Sequence, residues 1–307
     1  MGYISEPIVV ILTIMKLYYA SPSQEVPEKA GNFGDQLNPW LWPKLLPGVF
    51  DDDERVAFVG IGTLINQRLK RRLPNTNLRI IFSSGVGYGN YLKQLDETYK
   101  VYCVRGPLSA NWLGISSDLA IIDGGVLVSR LSQPERKIKY KYSYMPHYNF
   151  AGEGWEKACK SLNFGYIDPT WSVEKVIESI CQTEVILAEA MHGAIIADAY
   201  RVPWVPVTSH PSILSFKWQD WCASVNLEYQ PLLMKRLHHP NLTRDILTPL
   251  RSVRDRYRQK VSAAQLASIA KNARPLLSDS KLLESLTARL GEKLEDFKND
   301  WKKGDFS

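Results

Sequence analysis

Short apolar runs alternate with helical patterns along most of this chain, and that alternation limits the fold more than any other feature. In the first half the runs lie at 16–19, 57–60, 79–83 and 101–104, with a shorter one at 119–123. Each is followed by Gly, Asn or Ser and then by helix-like spacing of apolar residues. Repeated strand–loop–helix units predict an α/β fold built on a parallel sheet with helices on both faces. Ligands in such sheets bind at the C-terminal ends of the strands. The loops after the strands are therefore the places to look for chemistry.

The apolar pattern lapses around 131–141, where Ser132, Gln133 and Pro134 precede a cluster of Arg136, Lys137, Lys139 and Lys141. This reads as a linker. A second series follows, with strands expected near 142–146, 165–168, 185–188 and 204–207. Helices are expected near 155–162, 173–181 (Ser172 as N-cap) and 193–200. Beyond about 241 the chain turns helical and amphipathic, with Arg251, Arg254 and Arg258 on one face. The expected domains are 15–132, 140–235 and a basic helical tail over 236–307. Residues 1–14 read as an upstream extension, because Met15 looks like a natural start followed by the first strand.

Composition excludes several classes. Hydrophobic residues are 45% and charged residues 23% of the 307, so neither disorder nor a fibrous repeat fits. The net charge of +6 is uneven: 235–307 holds 16 Lys and Arg against 9 Asp and Glu. That local excess suits an anionic surface, such as a membrane face, or simply a solvated helix. Nucleic acid is not expected, because no aromatic platform accompanies the charge. Four scattered cysteines with no C-x-x-C spacing argue against a zinc site or disulfide scaffold and fit a reducing compartment. The longest apolar run, 8–15, is far short of the roughly 20 residues of a membrane span, and it lacks a basic flank for a secretory signal. A cytoplasmic protein is expected, with contact at the inner membrane face through the tail.

Several loops carry candidate chemistry. Asn32 and Asp35, in Gly31-Asn32-Phe33-Gly34-Asp35, offer an amide and a carboxylate after the first strand; the alternative is a turn in which Asp35 caps a helix over 36–42. Gly62 in Gly60-Ile61-Gly62-Thr63 and Gly87 in Ser84-Gly85-Val86-Gly87-Tyr88-Gly89 place bare backbone N–H groups at the same sheet edge, which suits phosphate or sugar oxygens. Neither run is the dinucleotide fingerprint. Arg105, in Arg105-Gly106-Pro107, offers a fork for carboxylate or phosphate. Its alternative role is to pair with a sheet-end carboxylate such as Asp123. Lys217 lies among Trp218 and Trp221, where it would hold an anion and the indoles would stack on sugar; otherwise this is a helix packed through its tryptophans.

The second series ends two strands in histidine. Met145-Pro146-His147 closes one, and Glu189-Ala190-Met191-His192-Gly193-Ala194 joins another to a helix. His192 is expected at the helix N-terminus. Imidazole titrates near neutrality, so His147 and His192 are candidate acid/base groups. No H-x-x-H or H-x-E spacing suggests a metal.

In order, Asn32-Phe33-Gly34-Asp35, Gly60-Ile61-Gly62-Thr63, Ser84-Gly85-Val86-Gly87, Val104-Arg105-Gly106-Pro107-Leu108-Ser109, Asp123-Gly124, Met145-Pro146-His147 and Glu189-Ala190-Met191-His192-Gly193-Ala194 resemble the polysaccharide pyruvyl transferase family, in its bacterial exopolysaccharide branch. The resemblance covers about 15–225. It implies two Rossmann-like domains facing across a cleft, as in B-type glycosyltransferases. It also implies transfer of a pyruvyl group from phosphoenolpyruvate to two hydroxyls of a sugar or a lipid-linked oligosaccharide, forming a ketal, with no cofactor or metal. On that resemblance His192 is the acid or base nearest the donor, with His147 and Asp35 as further catalytic groups. Arg105, Lys217, Glu189 and Gly193 bind the donor; Asn32, Gly62 and Gly87 bind the acceptor. Many members carry Arg-Leu-His where this chain has Ala190-Met191-His192, so the gripping charge must come from elsewhere, with Arg105 and Lys217 as candidates. Two alternatives are a nucleotide-sugar glycosyltransferase of the same architecture and a non-catalytic carbohydrate-binding relative.

Overall fold

The computed structural model describes residues 13–20, 31–88, 92, 94–235, 237 and 248–306, with side chains from 257 onward in the last span. It holds two parallel five-stranded sheets with helices packed against them. The first is built from β1 (Met15–Tyr18), α1 (Phe33–Leu45), β2 (Phe50–Asp51), β3 (Val56–Val59), α2 (Arg68–Arg72), β4 (Leu78–Ser84), β5 (Tyr99–Val104), α3 (Pro107–Leu113) and α4 (Val128–Leu131). Its strand order is β2-β1-β3-β4-β5. The second follows with β6 (Tyr140–Met145), α5 (Glu153–Ser161), β7 (Gly165–Tyr166), α6 (Val173–Cys181), β8 (Thr183–Ala188), α7 (Met191–Ala199), β9 (Trp204–Thr208), α8 (Ser215–Ser224) and β10 (Leu232–Leu233). Its order is β10-β9-β8-β6-β7. Residues 132–139 join the two sheets without regular secondary structure. The α/β reading with parallel sheets therefore stands.

One expected strand is absent. Over 119–123 the chain makes a single bridge, Val104 to Ala120, and then turns. Asp123 accepts the Gly125 N–H at 2.9 Å and caps a 3-10 turn over Gly124–Leu127. The carboxylate ends the extended run by offering the backbone a local partner. Helix α1 is longer than the spacing suggests and contains Pro39 and Pro43. Pro39 has no N–H for the Asp35 carbonyl four residues back; the Asn38 side chain donates to that carbonyl instead, at 3.2 Å. Asn38, fully buried, also donates to the Ile61 carbonyl and accepts from the Ile61 N–H and the Trp42 indole. It ties α1 to the loop after β3. Ser172 caps α6 as expected, accepting the Lys175 N–H.

After the second sheet the chain returns to the first. Helix α9 (Thr248–Asn272) packs on α5. Helix α10 (Ser280–Lys303) lies against β5. Its Phe297, fully buried, meets Phe58 and Tyr102 edge-on at ring separations of 5.3 and 5.6 Å. The last helix thus completes the core of the first lobe. The expected basic face at Arg251 and Arg254 falls outside the described side chains, and residues 1–12 outside the described chain. Among the described residues no helix is long and apolar enough to cross a membrane.

Candidate active site

The two sheets meet along their C-terminal edges. The Phe33 N–H at the start of α1 donates to the Pro169 carbonyl at 2.7 Å, and α8 packs on α3. Between the lobes lies a cavity of about 330 Å³, near the lower end of the roughly 300–1,000 Å³ typical of ligand pockets. Its walls include Asn32, Asp35, Gly62 and Thr63 from the first lobe, and His147, Ala190, His192 and Lys217 from the second. Six of the sequence candidates (Asn32, Asp35, Gly62, His147, His192 and Lys217) therefore come together, although up to 185 residues separate them in sequence.

His192 occupies the second position of α7. Its Nε2 lies 3.6 Å from Asp123 Oδ2, and the side chains are 12% and 0% exposed. That separation is longer than a hydrogen bond, and both atoms are buried without another partner. Burial would raise the Asp123 pKa, but the His192 imidazole, Arg105 and the Gly125 N–H together hold it below the ordinary carboxylate value. The buried carboxylate thus faces the imidazole at close range. On its other side the His192 ring lies against Gly34, where a Cβ would overlap Nδ1. A first-lobe glycine therefore makes room for a second-lobe histidine.

His147 is different. It is 9% exposed, and its pKa is pushed down to about 3, first by burial and then by Lys217. Its Nδ1 accepts the Asn149 N–H at 3.3 Å, which leaves the proton of the neutral ring on Nε2. Burial and Lys217 thus favour the neutral ring, unlike the setting of His192, which faces a buried carboxylate. Burial raises the Asp35 pKa, against the Asn32 amide (3.1 Å), His192 and Lys217. Asp35 lies within the first turn of α1 rather than capping it; Asn32 is the N-cap residue. Lys217 is half-buried, and its pKa is pushed down to about 8 by burial and then by Arg105, with Asp35 opposing.

Four candidates do not line the cavity. Arg105 is fully buried: its Nε donates to Asp220 Oδ2 at 3.0 Å and one terminal nitrogen to Thr63 Oγ1 at 2.9 Å. The carboxylate partner is thus Asp220 of α8, not Asp123. Glu189 is fully buried and accepts the His147 N–H (2.9 Å), the Ser209 N–H (2.6 Å) and the Tyr144 hydroxyl (3.2 Å). It pins strand ends together. Gly193 packs on Met145, where a Cβ would stand 2.5 Å from Sδ. Gly87, at φ +153°, accepts a hydrogen bond from the Asn66 side chain at 3.0 Å. The indoles of Trp218 and Trp221 are core groups, 0% and 1% exposed, not sugar platforms.

Sequence reasoning passed over Asp123 as the partner of His192, and Arg68 and Arg72, which also line the cavity. The Asp123-Gly124 pair after β5 was the available signal for the first. Nothing in the basic run of α2 distinguished cavity-facing arginines from a solvated helix. Among the described residues no three His, Cys, Asp or Glu side chains gather as a metal would need.

Residues 60–211 match the family model described as polysaccharide pyruvyl transferase. Over 205 residues the chain is 43% identical to the succinoglycan biosynthesis protein ExoV of Rhizobium meliloti (strain 1021), a match covering 66% of this chain and 64% of that relative. The chain thus spans just under two thirds of that relative's length. The matched segment contains His147, Asp123 and His192 and most of the cavity wall, and through it the chain belongs to the polysaccharide pyruvyl transferase family.

Proposed function

We propose that this protein transfers a pyruvyl group from phosphoenolpyruvate to two hydroxyls of a sugar, in an exopolysaccharide or its lipid-linked precursor, forming a ketal. The observation that carries the reading is the His192–Asp123 pair opening onto a cavity shared with Lys217 and, across the cleft, Asp35. The donor is small and anionic, and the site offers it a lysine, the His147 N–H and backbone N–H groups. Domains 140–235 and 15–132 are the donor and acceptor sides of a B-type glycosyltransferase-like arrangement.

The chemistry needs an acid and a base. A proton passes to the donor's methylene carbon, which becomes a methyl group as C2 turns electrophilic. The first sugar hydroxyl adds to C2 and gives its proton to a base. The C2–O bond to phosphate then breaks, inorganic phosphate leaves, and the second hydroxyl closes the ketal as it loses its proton. His192, backed by Asp123, and Asp35, with its raised pKa, are the two groups assigned to these transfers. Lys217 holds the donor's anionic groups, and Asn32 and Gly62 hold the acceptor. The arrangement needs no cofactor.

The relative's name, which places it in succinoglycan biosynthesis, supports a glycan acceptor. The test is phosphate release from phosphoenolpyruvate with a panel of glycans, alongside detection of the ketal methyl group by proton NMR. Release that depends on a glycan supports the reading; no release with any glycan, together with turnover of a nucleotide sugar, would replace it with the glycosyltransferase alternative. Peripheral binding at the inner membrane face is a separate expectation. Two of the six basic side chains on α10 are already engaged, in Lys293–Asp296 and Lys298–Glu295 pairs. Sedimentation with anionic vesicles at low salt checks it.

A further inference from the structure

Of the side chains lining the cavity, three are cations (Arg68, Arg72 and Lys217) and one is a carboxylate, Asp35. Arg68 and Arg72 are four residues apart on α2, so they share a helix face. Both are exposed, and neither forms an ion pair with another described residue. The orientation of α2 is fixed from below and from the side. Leu69 and Leu73, each 1% exposed, anchor it in the first-lobe core, and Lys70 pairs with Asp96. Asn66, 4% exposed, accepts the Arg68 N–H at 2.9 Å and donates to the Gly87 carbonyl at 3.0 Å. One buried amide thus locks the start of α2 to the loop that presents Tyr88 to the same cavity. The anchored helix thus brings two exposed arginines to the cavity wall, whereas the His192 side chain is 12% exposed.

We infer that Arg68 and Arg72 form a second anion site, at the mouth of the cavity, that takes a phosphoryl or carboxylate group carried by the acceptor sugar. The inference rests on the transfer reading above and adds the acceptor's charge class to it. Lys217 faces the donor's place beside His147 and His192. The two arginines stand at the solvent-facing rim of the first lobe, on the acceptor side. An arginine pair on one face suits bidentate recognition of a planar carboxylate or a phosphate.

The test is calorimetric binding of glucose 1-phosphate, glucuronate, methyl glucoside and phosphoenolpyruvate to the wild type and to the R68A/R72A double variant. Both residues are exposed, so the variant is expected to melt with the wild type. The wild type is expected to bind one or both anionic sugars more tightly than methyl glucoside. The double variant is expected to lose about tenfold or more of that affinity and to bind phosphoenolpyruvate within twofold of wild type. The tighter anionic sugar identifies the group. Equal binding of charged and neutral sugars by the wild type overturns the inference. So does unchanged anionic-sugar binding by the variant, or a loss confined to phosphoenolpyruvate. Failure of the wild type to bind phosphoenolpyruvate would end the donor reading and leave the sugar measurements to decide this one.

Discussion

His147 and His192 end two neighbouring strand–loop segments of one sheet, yet their environments differ. His192 faces a buried carboxylate, whereas the His147 ring lies near the Lys217 cation. Replacing Asp123 with Asn keeps the shape and removes the negative charge that faces the His192 imidazole. Turnover should fall by about 10²-fold or more, with the melting temperature little changed; steady-state kinetics with thermal melting checks this. Gly34→Ala separates two opposing effects. Alanine is the better helix former by about 1 kcal/mol, but its Cβ overlaps the His192 ring. Activity should fall sharply whatever happens to stability, and an active G34A enzyme would show that the ring need not sit there. For Lys217 the charged form predominates below a pKa of about 8, and the proposed function has that form hold the anionic donor. Donor affinity should therefore be full at pH 7 and decline as the pH rises through 8; K217M should bind weakly at every pH.

At the scale of elements, most of the framework was legible from period and punctuation. The 173–181 helix and its Ser172 cap match α6 because an amphipathic stripe and an N-cap residue are local signals. The four long strands of the first lobe and four of the second emerged from apolar runs for the same reason. The two-residue strands β2 and β10 escaped, whereas β7, equally short at Gly165–Tyr166, lies inside the longer run expected over 165–168. The apolar run at 119–123 misled because a strand and a buried turn have the same hydrophobicity, and only the Asp123 cap distinguishes them. Among the site residues, Asn32, Asp35, Gly62, His147, His192 and Lys217 were legible as polar groups or glycines in loops or helix starts at strand ends. The burial of Arg105 was not, because its partner Asp220 lies 115 residues away. Asp220 also accepts from the Ser109 N–H at 2.9 Å and its hydroxyl at 2.6 Å. Both side chains of the Arg105–Asp220 pair are fully buried. Asp220→Ala should cost about 3–5 kcal/mol by stranding the guanidinium, while R105M/D220L should recover much of that; thermal melting of the three proteins decides it.

Across the whole molecule, the chain crosses between lobes more than once. Helix α8 delivers Asp220 from the second lobe to α3 of the first, and α10 seals the first sheet with Phe297. The lobes are therefore stitched by buried groups on several elements. Phe297→Ala should destabilise the first lobe by about 3–5 kcal/mol, seen as a lowered melting temperature. The tail read from sequence as a basic appendage is in part a core element, which its amphipathic spacing showed but its destination did not.

The most direct test of the account is phosphate release from phosphoenolpyruvate, in the presence of a glycan that supports turnover, by the wild type and by His192→Ala. Release at the no-enzyme background by a variant that still melts with the wild type is the predicted result. Release at the wild-type rate would contradict the assignment of His192 and, with it, the cavity as the place of reaction.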